Sequence, residues 1–404
     1  MNLFYKILLS FIIILVELLN SIAGETDSIL ILSYVEYSKG NYENAINNLN
    51  QLSNNLSSDE LSIKLRGESY YHLGLYEKST KEFLKLDKIQ EGMGSLFLAK
   101  IYALQGNYTK AAFYLEHHLK SKYRVGEAGI KADEDFSSFQ NSTEWKNIWK
   151  NDWYSKTDLL ISDTKYLTRY KRYEEAIELI DQKIDQGTKN HEVYAVKSEI
   201  FTDMGQYHLA LEAINKAVKY KKEPDYFVKR AGINNRLKNY NDAINDYNYV
   251  LEKEPYKVNL FKNISQNYFA NEEFSVAIQY MDKYLGYYPE DIDALYQFAS
   301  ILYENKNYLT ALKYYNKLIK TDPGNMDYYS DRGMTYLMTN AYQFAENDFS
   351  MILDIYPNNG KAYVNRGLAR YKKGDNVGAC KDWNRAKLLG DLMGVVYLQQ
   401  YCEK

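Results

Sequence analysis

Few residues of this chain have the type and spacing for bond-making chemistry. Its five histidines are scattered, and the one close pair, His117-His118, is adjacent. Neighbours on a helix diverge by about 100°, so this pair cannot chelate as an i, i+4 pair does. Two cysteines, Cys380 and Cys402, fall short of a four-thiolate zinc site. No Gly-rich phosphate loop and no Gly-x-Ser-x-Gly nucleophile turn occur. The carboxylate pairs Glu174-Glu175 and Glu272-Glu273 open helical stretches, where negative charge suits the helix N-terminus. The reading is no catalytic residue, no metal ligand set and no cofactor. Hydrogen-bonding chemistry is a different matter. Asn263, Gln297, Asp331 and Asn365 stand 34 residues apart, and amides at fixed intervals can donate to and accept from another chain's backbone.

That interval belongs to the whole chain. A phrase of an aromatic, two residues and a small residue recurs, as in Tyr42-Glu43-Asn44-Ala45 and Tyr240-Asn241-Asp242-Ala243. The small residue falls at Ala45, Ser79, Ala111, Ala176, Ala210, Ala243, Ala277, Ala311, Ala345 and Ala379. The intervals are 34, 32, 65, 34, 33, 34, 34, 34 and 34. Three residues ahead stands Tyr or Phe, except at Asn376; four residues on stands a large apolar residue such as Phe83, Phe349 or Trp383. Gly40, Gly74, Gly106, Gly205 and Gly374 lie five residues ahead, and Pro255, Pro289, Pro323 and Pro357 twelve residues on. Apolar spacing after each small residue is helical, Gly suits a left-handed helix end, and Pro stops the second helix. Each period is therefore a helical hairpin with too little core of its own, and stacked neighbours bury a shared one.

The pattern resembles the tetratricopeptide repeat over nearly all of the chain after its first residues. The stretch 329–357 matches with Tyr329, Gly333, Tyr336, Tyr342, Ala345, Phe349 and Pro357. The second small position holds Ala217 and Ala386 but Val250, Tyr284 and Leu318 elsewhere, which implies wider spacing there. The resemblance implies an all-α fold, an α-solenoid of about ten hairpins with a C-terminal capping helix. It is closest in style to exported proteins of the Bacteroidota. It also implies an inner groove lined by the first helix of each hairpin, which takes partner segments. On that face lie Asn263, Gln266, Tyr296, Gln297, Ser300, Tyr303, Asp331 and Asn365. Asp327 and Asp331 stand where a cationic clamp for acidic C-termini would be, so the expected partner segment is neutral or basic.

Residues 1–23 read as a signal peptide: Lys6, an apolar run from Ile7 to Leu19, and small residues Ser21 and Ala23 before a cut at Gly24. The run is short for a membrane span and contains Glu17, so cleavage is favoured over a retained anchor. Periplasmic or secreted location follows, with no membrane insertion after cleavage. The expected organisation is 24–123 as N-terminal repeats, 124–156 as an irregular helical segment, 157–390 as C-terminal repeats and 391–404 as the cap. The irregular segment holds Trp145, Trp149 and Trp153, whose spacing of four puts them on one helical face. That face either packs on the neighbouring repeats or forms an aromatic contact surface. A hairpin centred near Gly390 brings Cys380 and Cys402 together, as a disulfide or as two buried thiols.

A net charge of −3 excludes bulk electrostatic binding of nucleic acid. The functional expectation is a non-enzymatic, exported scaffold that binds protein or peptide partners. The alternative is an assembly factor of an envelope or secretion complex; a carbohydrate-binding module or an enzyme ranks below both.

Overall fold

The computed structural model describes residues 28–52 and 59–403. The expected signal peptide at 1–23 lies outside the described residues. All regular structure among the described residues is helical. The chain divides into two compact units, Met1–Val258 and Asn259–Lys404. The segment 124–156 lies inside the first.

In the first unit, residues 28–38 pair with Tyr42–Leu49, Glu60–His72 with Tyr76–Ile89, and Ser95–Leu104 with Tyr108–Lys120. After the irregular segment, Lys156–Arg169 pairs with Tyr173–Asp185, His191–Asp203 with Tyr207–Tyr220, and Pro224–Arg236 with Tyr240–Lys253. In the second unit, Leu260–Ala270 pairs with Phe274–Tyr287, Ile292–Glu304 with Tyr308–Thr321, Met326–Met338 with Tyr342–Ile355, and Gly360–Lys373 with Asn376–Leu388. Leu392–Tyr401 closes the second unit as the capping helix.

The periodic columns now have physical meanings. Each of the ten small residues is 0% exposed, because there the two helices of a hairpin come closest. The aromatic column is the first residue of each second helix. Twelve residues ahead of each small residue, the first helix carries a second small one, Gly, Ala, Ser or Thr. Gly67, Gly333 and Gly367 lie under Phe83, Phe349 and Trp383; a Cβ at Gly367 would sit 2.5 Å from the Trp383 indole nitrogen. Smaller facing residues, Ile214 and Met281, leave room for Ser198 and Ser265, whose hydroxyls donate to the carbonyls of Ala210 and Ala277.

The turn inside each hairpin needs one left-handed residue. Gly fills it at five positions, and Lys171, Lys238, Glu272, Lys306 and Asn340 adopt the same φ of 59–62° at the other five. The turn geometry is therefore imposed by packing, and glycine is its unstrained solution rather than its cause.

Pairs not evident from the columns tie the hairpins together. Arg230, Arg332 and Arg366 each hold, with two parallel bonds of 2.6–3.0 Å, an aspartate sixteen residues on: Asp246, Asp348 and Asp382. Each guanidinium also reaches back to the preceding hairpin, at Asn215, Asn316 or Ser350. Burial pushes the Asp348 carboxyl up, and the Arg332 fork opposes that shift.

Candidate functional site

The residues assigned to the inner face all fall in the second unit, on four successive first helices. Each is half-buried. Ile264 and Phe298, next in sequence to Asn263 and Gln297, are buried in the core, about 100° round the helix from them. Two bonds join neighbouring hairpins across this face. The Gln266 amide donates to the Gln297 carbonyl oxygen at 2.8 Å, and the Tyr296 hydroxyl donates to Asp331 at 2.6 Å. Ser300 donates to the Tyr296 carbonyl at 3.1 Å. Tyr303 packs edge-on against Tyr308 at 5.5 Å. Asn263 accepts, through its backbone carbonyl, from the Asn267 side chain. Asn365 lies on Gly360–Lys373 one period beyond Asp331. Burial raises the Asp331 carboxyl above its ordinary range, and the nearby Asp327 adds to that. The Tyr296 bond and the Lys361 charge work the other way. The face therefore offers amides, phenols and one half-buried carboxyl, a set for recognising a chain rather than for breaking bonds.

Cys380 and Cys402 form a disulfide, with their Cα atoms 5.9 Å apart. It ties the capping helix to Asn376–Leu388 over the buried Trp383.

The three tryptophans do not share one helical face. The helix Thr143–Ile148 ends before Trp149, which caps it, and Trp153 lies in the irregular stretch beyond. The Trp153 indole donates to the Ile148 carbonyl at 2.8 Å, taking a bond that a further helical turn would have used. Trp145 is 6% exposed and packs against Phe136 and Phe139, so it serves the core rather than an open surface.

A Ser, His and carboxylate group that the sequence columns did not reveal occurs in the first unit. Ser95 Oγ lies 2.9 Å from both Asp87 and His117 Nδ1, and His117 Nε2 lies 3.0 Å from Glu91. Ser95 is 0% exposed, and its proton goes to Asp87. An oxygen with no exposed surface cannot meet a substrate, so this group clamps the turn holding Gly92 and Gly94. Among the described residues, no three His, Cys, Asp or Glu are placed to hold a metal ion.

Residues 191–224 and 263–326 match family models described as tetratricopeptide repeat. The chain carries tetratricopeptide repeats. A tetratricopeptide repeat-containing protein of Methanocaldococcus jannaschii is 24% identical over 283 residues, or 66% of this chain. The match spans 46% of that relative, so the chain corresponds to about half its length. Among solved structures, the C-terminal part of a tetratricopeptide repeat-containing protein from Cytophaga hutchinsonii is 19% identical. It covers 57% of this chain and 95% of its own, with a TM-score of 0.49. A tetratricopeptide repeat protein from Parabacteroides merdae is 20% identical, covers 59% and 95%, and has a TM-score of 0.44. A scaffold of tetratricopeptide repeats is suited to protein–protein interaction.

Proposed function

We propose that this protein is a non-catalytic, exported scaffold whose second unit takes an extended segment of a partner protein along its inner face. The observation that carries the reading is the ladder Asn263, Gln297, Asp331 and Asn365, half-buried at one register of the first helices of four successive hairpins. Side-chain amides on successive hairpins can donate to and accept from an extended backbone, and Tyr296 and Tyr303 add flat contact area. Asp293, Asp327 and Asp331 suit a neutral or basic segment. Export is supported by the signal-like residues 1–23 and by the Cys380–Cys402 disulfide, a bond at home in an oxidising compartment.

The test is affinity purification with residues 24–404 as bait, beside the variant Gln297→Ala/Asp331→Ala. The expected result is a partner retained by the parent chain and lost by the variant. Retention of every partner by the variant would remove the inner face from the reading. Fractionation followed by N-terminal sequencing tests export, with Gly24 expected as the first residue outside the cytoplasm.

A further inference from the structure

The first unit has an inner face too, and at hairpins two and three it is not open. Tyr71 stands eight residues before Ser79, the register of Tyr303. Lys100 stands eleven before Ala111, the register of Gln266 and Ser300. Both are engaged by the irregular segment. Lys100 Nζ lies 2.5 Å from Asp133 and 3.3 Å from Asp135, and the Tyr71 hydroxyl donates to Asp135.

Reach distinguishes the Tyr71 bond from ordinary stacking, whereas Lys100–Asp133 and Lys100–Asp135, 33 and 35 residues apart, have the ordinary reach. Tyr37–Glu68, Gln266–Gln297 and Tyr296–Asp331 each join one hairpin to the next, at sequence separations of 31, 31 and 35. Tyr71–Asp135 spans 64 residues and passes over the hairpin between them. The segment is anchored on either side of that crossing: Ile130, Phe136 and Phe139 are 0–1% exposed in the core beside Ala99 and Ala103. Burial alone would raise the Asp135 carboxyl, yet the Tyr71 bond and the Lys100 charge hold it below its ordinary range.

We propose that residues 133–135 are a resident occupant of this inner face, an acidic stretch of the chain's own that takes the place of a partner segment at Tyr71 and Lys100. The first unit is thereby closed to partners at hairpins two and three. That a partner segment would otherwise lie there rests on the proposed groove function; the closure does not.

Lysine-selective acetylation of the full chain, followed by mass spectrometry, tests the closure. Lys100, 16% exposed at its side chain, is expected to react about tenfold more slowly than Lys81, 68% exposed. In Asp133→Asn/Asp135→Asn, checked for folding by circular dichroism, Lys100 is expected to approach the Lys81 rate. Equal rates in the parent chain, or an unchanged slow rate in the folded variant, would overturn the proposal. A pool of benzophenone-bearing synthetic dodecapeptides, acidic, neutral and basic, then maps binding on the parent chain. Cross-links are expected on 260–371 and absent from 60–104. Cross-links at 60–104 would overturn the closure. Absence of cross-links everywhere would count against the groove function, and the Lys100 rates would still decide the closure.

Discussion

The two units use the same hairpin and keep it in shape by different means. In the second, the period is unbroken from Ala277 to Ala379, prolines mark the joints, and a disulfide fastens the cap. Asn263, Gln297, Asp331 and Asn365 are half-buried at one register of its first helices. In the first, the period breaks after Ala111, and an irregular segment fills the gap with aromatic side chains and lays two carboxylates across the inner face. All five histidines lie in the first unit and both cysteines in the second. The regular stack needs no filler, whereas the interrupted one uses the irregular segment to complete its core. The units should therefore fail under different insults.

The largest separation is expected from the disulfide. Its loop spans 22 residues, and loss of such a cross-link costs about 3–4 kcal/mol on chain-entropy grounds. Cys402→Ser should lower the calorimetric transition of the second unit and leave that of the first in place. A shift of both transitions together would show that the units do not unfold separately.

Acid should do the reverse. His118 is 2% exposed, accepts the Val125 amide at 3.1 Å through Nε2, and is pushed down by burial to about 4. The Gly92 carbonyl and Asp87 oppose that shift without reversing it. The unfolded imidazole takes up a proton near pH 6.5, before the folded one does. Stability is then full above about pH 6.5, falls by about 1.4 kcal/mol per unit down to pH 4, and levels off after about 3 kcal/mol. The second unit has no histidine; its raised carboxyls Asp331 and Asp348 favour the folded state in acid, while Asp291 and Glu346, held below their ordinary range against burial by their hydrogen bonds and nearby lysines, act the other way as the pH falls further. Parallel denaturant curves at pH 7 and pH 5 should show the first unit losing ground. His118→Gln should remove much of that difference; an unchanged pH dependence would mean that other groups carry it.

Why some of this was legible in the sequence and some not follows from what repeats. The columns at the small residue, the aromatic and the turn are steric, the same in every hairpin, and therefore periodic. The Arg332–Asp348 fork also recurs, but sixteen residues separate its ends on two helices, a spacing that no single-helix pattern exposes. The segment 124–156 has no period to read. The spacing of its tryptophans assumed a helix running to Trp153, and the Trp153 indole itself takes the Ile148 carbonyl past the helix end. Lys100 holds the same register as Gln266, yet only the folded chain shows that Asp133 and Asp135 come to it.

A packing change of intermediate size probes the regular unit. Gly367→Ala puts a methyl 2.5 Å from the Trp383 ring, which is 0% exposed and donates its N–H to the Val364 carbonyl at 3.1 Å. The ring has nowhere to go, so a loss of about 2 kcal/mol is expected in the second unit, measured by urea denaturation. Gly67→Ala under Phe83 is the matching change in the first unit, with a closest approach of 3.1 Å. The smaller overlap should cost less, and equal losses would show that the first unit is packed as rigidly as the second.

The smallest effect is a gain. Lys238 in the first unit and Lys306 in the second hold φ of 62° in the same turn. A side chain there meets its own backbone, at a cost of about 1 kcal/mol that glycine escapes. Part of that gain is returned, because glycine makes the unfolded chain more flexible. Lys238→Gly and Lys306→Gly should each stabilise their own unit by up to about 1 kcal/mol, and by the same amount, read from the two denaturation midpoints. The packing that imposes the turn is the same in both units, so the strain should be the same at Lys238 and Lys306. Unequal gains would mean that the irregular segment reaches this far into the first unit and has relaxed the turn at Lys238.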